Sequence, residues 1–363
     1  MASNILNQFF DLIKISIGNK DGFHQLPTDK AFQQLYDIAC KQSLAGVLLE
    51  GFNKAEIKQK DILAKQLLLE WIGVQQLTIS MNRRYNERAK ELTKIFAEGG
   101  FRSCVLKGQG TALYYEHPEY RQCGDIDIWV EGDRDVILDF LRKNCYKIDS
   151  IDIKHTEVHI FDDVPVEVHF LPSWMYCPPI NKRLVHFFEK EANRQFANYD
   201  ERTGFTHTTL EFDLVYSMVH IYRHIFSEGI GLRQLMDYYY ILQNSSEVQR
   251  AQAFEVLCGL RMKSFVGEIM WILQECFGMK KEFLLCLVNV KHGEFLLSEI
   301  LTAGNFGHYD DRMKRIDHNK RFARGIVQFK KNLRFVCYYP SEVLWSPFWK
   351  LWHWGWRKRK GYL

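Results

Sequence analysis

The string Gly124-Asp125-Ile126-Asp127-Ile128-Trp129-Val130 holds the most informative chemistry in the chain. On a strand, carboxylates at i and i+2 project from one face, about 7 Å apart along it. Two acids among Ile, Trp and Val are costly unless cations or hydrogen-bond donors answer them. Hard oxygen ligands at this spacing suit Mg2+, which takes one or two carboxylates together with substrate phosphates. An exposed turn also accommodates such a pair, so its neighbours carry weight. Upstream, Lys107-Gly108-Gln109-Gly110 falls between a predicted strand and a predicted helix. There glycines allow close backbone approach, and N–H groups at a helix start can cradle phosphate; a plain tight turn is the alternative. Downstream, Val166-Glu167-Val168-His169 is an apolar strand with an acid inside it, and Glu167 beside the aspartates would complete a two-metal site. Arg121, four residues before Asp125, offers a planar fork to phosphate or a surface salt bridge. Lys107 offers a point charge, or caps the turn.

Two further groups have metal-ligating residue types. His155, Glu157 and His159 alternate along one strand face, and the turn that follows sets what they meet. A two-residue turn pairs Val158 with Glu167, whereas a three-residue turn pairs His159 with it. A cluster of His155, His159 and His169 suits a softer metal and a hydrolase, but leaves Asp125 and Asp127 without a role. His220 and His224 stand at i, i+4 on an apolar helix, and position 221 is Ile where a zinc protease helix needs Glu. Packing is the reading there, with Arg233 and Asp237 as an i, i+4 ion pair.

The elements that must position these residues fall into three segments: a helical region over 1–100, an α/β core over 101–173 and a helical region over 174–363. A long helix is predicted from Asp61 to about Ala97, with Leu77, Met81, Tyr85 and Ala89 in steps of four, then Leu92, Ile95 and Phe96. Gly99-Gly100 ends it. Strands follow over 101–106, 126–130, about 153–161 and 165–170, with helices over 111–117 and 133–144. The fold class is α+β, a small mixed sheet flanked by helices on both sides in sequence.

This order of strand, Lys-Gly-x-Gly turn, helix, Arg121, Gly-Asp-Ile-Asp and Val-Glu-Val-His resembles the DNA polymerase β-like nucleotidyltransferase superfamily. More narrowly, it is similar to the bacterial uncharacterised nucleotidyltransferases. The motif set spans about 70 residues. The resemblance implies that Gly108 and Gly110 bind triphosphate, with Lys107 and Arg121 offsetting its charge. It also implies that Asp125, Asp127 and Glu167 hold Mg2+, or Mn2+ in its place, and that Glu167 or a water it orients takes the acceptor's proton. An NTP such as ATP would donate a nucleotide to a small molecule, RNA or a protein. One residue departs from the superfamily pattern, since Gln109 follows Gly108 where Gly or Ser is usual. An inactive nucleotide- or polyanion-binding module is the alternative from another class.

Composition sets the outer bounds. The 363 residues are 47% hydrophobic and 25% charged, enough to bury a core and unlike a disordered chain. No stretch reaches the roughly 20 apolar residues of a membrane span. The start, MASNILNQFFDL, lacks the basic opening of a secretory signal, and nine scattered cysteines form no Cys-x-x-Cys pair, so a reducing cytoplasm is expected. Residues 312–363 carry 14 Lys and Arg against two acids, an excess of +12 that leaves −8 elsewhere out of a net +4. There, Trp345, Phe348, Trp349, Trp352 and Trp356 share one helix face, Pro347 sits in its first turn, and Arg357-Lys358-Arg359-Lys360 follow. The expectation is that the tryptophans pack on the body and the basic run is solvated. The alternative is an anionic partner, either RNA or lipid headgroups.

Overall fold

The computed structural model describes residues 2–55, 65–307 and 321–362. Helices α1 (Ala2–Ser16), α2 (Asp29–Lys41) and α3 (Ala45–Lys54) precede α4 (Lys65–Glu98); the expected start of that helix at Asp61 lies outside the described residues. On α4 the buried row is Trp71, Gln75, Thr78, Asn82, Tyr85, Ala89, Leu92 and Phe96, and Leu77 faces water. The expected placing of Leu77 in this row is therefore corrected. Steps of four advance about 40° beyond a full turn, so a strict i+4 row winds off the buried face.

The sheet is built from β1 (Ser103–Val105), β2 (Ile126–Val130), β3 (Lys147–Ile151), β4 (His155–His159) and β5 (Val166–His169), in the spatial order β1-β2-β5-β4-β3. Only β2 and β5 run parallel; the other pairs are antiparallel. Between β1 and β2, α5 (Gln109–Ala112) is shorter than the helix expected over 111–117, and α6 (Arg134–Lys143) follows β2. One sheet face is apolar: Val105, Ile126, Ile128, Val130, Val158, Val166 and Val168 pack on the α4 row and on Ile137 and Leu141 of α6. The side chains between them take the other face, which therefore carries Asp127, Glu167, His169 and His155. Trp129 shares that face and packs against Phe196 and Phe212, with ring centroids 4.6 and 6.1 Å away.

Neither register expected for the hairpin occurs. The connection runs from Ile160 to Pro165, so Glu157 stands opposite Glu167 and His155 opposite His169. Strand β3 was not anticipated, because Lys147-Ile148-Asp149-Ser150-Ile151 is largely polar, with only Ile151 fully buried, as an edge strand can be. A small ribbon of β6 (Tyr199–Asp200) and β7 (Phe205–Thr206) also interrupts the expected helices, between α7 (Pro178–Phe196) and α8 (Leu210–Phe226).

The rest is helical: α9 (Leu232–Asn244), α10 (Glu247–Gly259), α11 (Lys263–Phe277), α12 (Val290–Ala303), α13 (Arg321–Asn332) and α14 (Pro340–Lys360). A single apolar cluster joins both helical segments, from Phe9 and Leu48 through Met218 and Leu235 to Val266 and Val343. Helix α14 begins before the aromatic run, so Pro347 lies inside it and not in its first turn. Its packing also departs from expectation. Trp349 stacks on Trp174, but Trp345, Phe348 and Trp352 are exposed.

Candidate active site

Helix α4 fixes the loop that leads into β2. Asn82, buried on the α4 row, donates from Nδ2 to the carbonyls of Glu119 (2.8 Å) and Arg121 (2.7 Å), and the Tyr85 hydroxyl donates to the Gly124 carbonyl at 2.7 Å. Gln109 turns toward the same helix: its amide donates to Oδ1 of Asn86 at 2.6 Å and of Asn82 at 3.2 Å. The residue that departs from the superfamily pattern thus anchors its turn to α4. Sequence reasoning placed Tyr85 on the α4 row without a role at this loop, and missed Asn82.

The two turn glycines differ. Gly108 adopts φ 64°, a left-handed value that favours glycine, and a Cβ there would meet only the Asp125 carbonyl, at 3.7 Å. A Cβ on Gly110 would lie 3.0 Å from Cβ of His207, so Gly110 serves close packing. Helix α5, four residues long, has no extended N-terminal field to offer.

Asp127 and Glu167 are direct neighbours across β2 and β5, and Asp125 lies two residues before Asp127 at the mouth of β2. One carboxylate oxygen from each of the three lies within 4.8 Å of the others. Lys107 Nζ is 2.9 Å from Asp127 Oδ2 and 3.8 Å from Asp125 Oδ1. His169 Nε2 is 2.8 Å from Asp127 Oδ1 and 3.2 Å from Glu167 Oε2, while its Nδ1 is 3.4 Å from the Leu171 carbonyl. His155 Nδ1 is 2.9 Å from Glu167 Oε2.

Proton affinities follow from these contacts. Burial opposes charge on Lys107, but Asp125, Asp127 and Glu167 outweigh it and raise its pKa. His169 is likewise raised, because Asp127 and Glu167 overcome burial. Asp127 is lowered despite burial, by Lys107 and by the His169 hydrogen bond. Glu167 is lowered despite burial by hydrogen bonds from His155 and His169, which suits it to holding a cation more than a proton. Asp125 alone is raised, by burial and then by Asp127. Three carboxylates thus converge beside Lys107 and His169, an arrangement of oxygen donors that fits a divalent ion. Oxygen donors of this kind and number match Mg2+ or Mn2+.

Arg121, expected at phosphate, lines the same cleft and gives its fork to Asp237. Its Nε and Nη2 donate to the two Asp237 oxygens at 2.7 and 2.8 Å, and the Tyr115 hydroxyl donates to Asp237 at 2.6 Å. The fold brings Arg121 to Asp237, the expected partner of Arg233, from 116 residues away. Arg233 donates to the Gln122 carbonyl at 2.8 Å, and a Cβ on Gly124 would stand 3.7 Å from its guanidinium. Burial, with Arg121 beside it, lowers its pKa. A cleft opens between Lys107, Gly108 and Asp125 on one side and Ser217, His220 and Arg233 on the other.

His155, Glu167 and His169 form a second convergent set, also within 4.8 Å. His159 does not join it; it lies at the far end of β4 against Asp149, because the register places His155 and not His159 beside the acids. The rings of His220 and His224 lie 4.3 Å apart, but neither belongs to a group of three metal-ligating side chains among the described residues.

The family described as "Uncharacterised nucleotidyltransferase" matches residues 28–278. The chain belongs to that family. The match takes in α2 to α11 and the whole sheet, so every nucleotidyltransferase site residue discussed above falls inside it. No curated protein matches this nucleotidyltransferase. None of its described helices is long and apolar enough to cross a membrane.

Proposed function

We propose that this nucleotidyltransferase moves a nucleoside monophosphate from an NTP, ATP among them, to a hydroxyl acceptor, with Mg2+ or Mn2+ held by Asp125, Asp127 and Glu167. The observation that carries this reading is the meeting of those three carboxylates beside Lys107 and Gly108 at one cleft. When bound, the metal would offset triphosphate charge and lower the pKa of the acceptor hydroxyl. Lys107 would exchange part of its contact with the aspartates for the departing pyrophosphate, as a point charge suits. Gly108 leaves the backbone open to phosphate on the cleft side. Arg233 takes the phosphate-facing role first assigned to Arg121, and Arg121 positions the loop through Asp237. The acceptor is a small molecule, RNA or protein hydroxyl that enters from the α8 side of the cleft.

The test is incubation of the protein with each α-labelled NTP, Mg2+ or Mn2+, and cell extract. A labelled acceptor that disappears with Asp125→Asn supports transfer. NTP binding without any labelled acceptor or released pyrophosphate would replace this reading with an inactive binding module. A metal-dependent hydrolase is the second reading, favoured by the convergence of His155, Glu167 and His169. Zinc or iron bound at stoichiometry in the isolated protein would select it.

A further inference from the structure

Exposed apolar side chains occur singly over much of the surface, but six crowd onto α14. Leu344, Trp345, Phe348, Leu351, Trp352 and Trp354 are 43–69% exposed. At about 100° per residue they form one arc along the helix, with Pro347 among them and Lys358 and Arg359 continuing it at the C-terminal end. The opposite face is fastened to the body. Buried Glu342 accepts from the Tyr176 backbone N–H at 2.9 Å and from Arg223 at 2.7 Å. Trp174 stacks on Trp349 with centroids 3.9 Å apart, His353 lies 2.9 Å from Asp152, and Trp356 lies under the Arg134 guanidinium at 4.9 Å. The helix therefore buries its only acid and presents its apolar side outward, the reverse of an ordinary surface helix.

We propose that α14 is a membrane-docking surface that lies flat on an anionic lipid bilayer. Tryptophans flanked by leucine and phenylalanine suit the headgroup–acyl boundary, where an apolar ring body and a polar N–H are both accommodated. Lys358 and Arg359 would then reach lipid phosphates at the edge of the same arc. The charge of the helix agrees: Lys350, Arg357, Lys358, Arg359 and Lys360 stand against a single acid, Glu342, which is buried, so an anionic surface attracts it. A nucleic acid is a poorer occupant, because it needs cations along a strand's length and here they stand at one end; leucines offer bases nothing to stack on. A second copy is poorer too, because the exposed arc holds no acid to answer Lys358 and Arg359. The surface lies outside the family match and is independent of the proposed transfer reaction.

The test is sedimentation of the full chain with sucrose-loaded vesicles, either phosphatidylcholine alone or equal parts phosphatidylcholine and phosphatidylglycerol. Brominated acyl chains in the same vesicles report tryptophan depth. We expect binding to the anionic vesicles, weakening with salt, and quenching of tryptophan fluorescence. Phe348→Glu with Leu351→Glu should reduce binding by about tenfold or more while the circular dichroism spectrum and melting temperature stay unchanged, since both side chains are exposed. Lys358→Glu with Arg359→Glu should flatten the salt dependence. No binding to anionic vesicles would overturn the proposal. So would vesicle binding undiminished by the Phe348/Leu351 pair, tighter binding to single-stranded RNA than to vesicles, or a solution dimer that this pair dissociates.

Discussion

Asp125 and Asp127 stand two residues apart and hold their protons oppositely: burial and Asp127 raise the first, while Lys107 and His169 lower the second. The two aspartates therefore differ in what their removal does to the fold. Asp127→Asn strips a buried partner from Lys107 and His169 and should cost about 1–3 kcal/mol of stability. Asp125→Asn relieves a carboxylate that is disfavoured where it stands, and should leave stability unchanged or slightly improved. Both should abolish nucleotide transfer. Chemical denaturation beside the labelled-acceptor assay checks the pair, and a loss of stability with Asp125→Asn would show that its charge is not the strained one.

Gln109 separates an anchoring role from a phosphate-binding role. Gln109→Ala removes hydrogen bonds to Asn82 and Asn86 inside a buried contact, so a loss of about 1–3 kcal/mol is expected. NTP affinity, measured by titration calorimetry, should fall less than tenfold. A large fall in affinity with little loss of stability would place Gln109 at the phosphates instead.

Arg121 and Asp237 form the best-shaped buried ion pair around the cleft, with both guanidinium contacts under 3 Å. Asp237→Asn leaves Arg121 charged, buried and short of its partner. Such a break costs about 3–5 kcal/mol. Arg233→Gln should raise the KM for NTP, which steady-state kinetics would show. If the Asp237 variant raised KM alone and kept full stability, Arg121 would be reaching phosphate after all.

Asp213 gives the fold a pH dependence. Burial, opposed by Thr208 and Tyr114, pushes its carboxyl up to about 7. The folded chain thus keeps a proton that the unfolded chain releases near pH 4. This contribution is fully present below about pH 4 and is lost as pH rises toward about 7, with an upper bound of about 4 kcal/mol. In Asp213→Asn the decline in stability between those values should flatten. Identical slopes for both proteins in urea melts across that range would exclude Asp213 as the source.

The fold class and the three acids were legible in the sequence; the contacts that position them were not. The acids Asp125, Asp127 and Glu167 were visible because carboxylates within β-branched strands are unusual, and the parallel pairing of β2 with β5 brings them together. What stayed hidden was tertiary. Nothing local says that Arg121 will meet Asp237 from 116 residues away, or that Asn82 holds the loop before β2. The hairpin register depended on a connection longer than either turn considered, and β3 was too polar to stand out. The tail misled for a different reason: aromatic periodicity marks a helix face that packs on something, and only the structure shows which residues pack on the chain itself.

The clamp on Glu342 also sets an order of events during synthesis. Arg223 lies over the Trp174 and Tyr176 rings, which meet edge to face, 3.9 Å from each, and its carboxylate partner is 119 residues further along. At ordinary elongation rates Glu342 arrives about 6–24 s after Arg223. Until then the ring pair holds a cation with no counter-charge, and α8 has no lid at this position. A nascent chain paused in that interval would be a natural client for a chaperone.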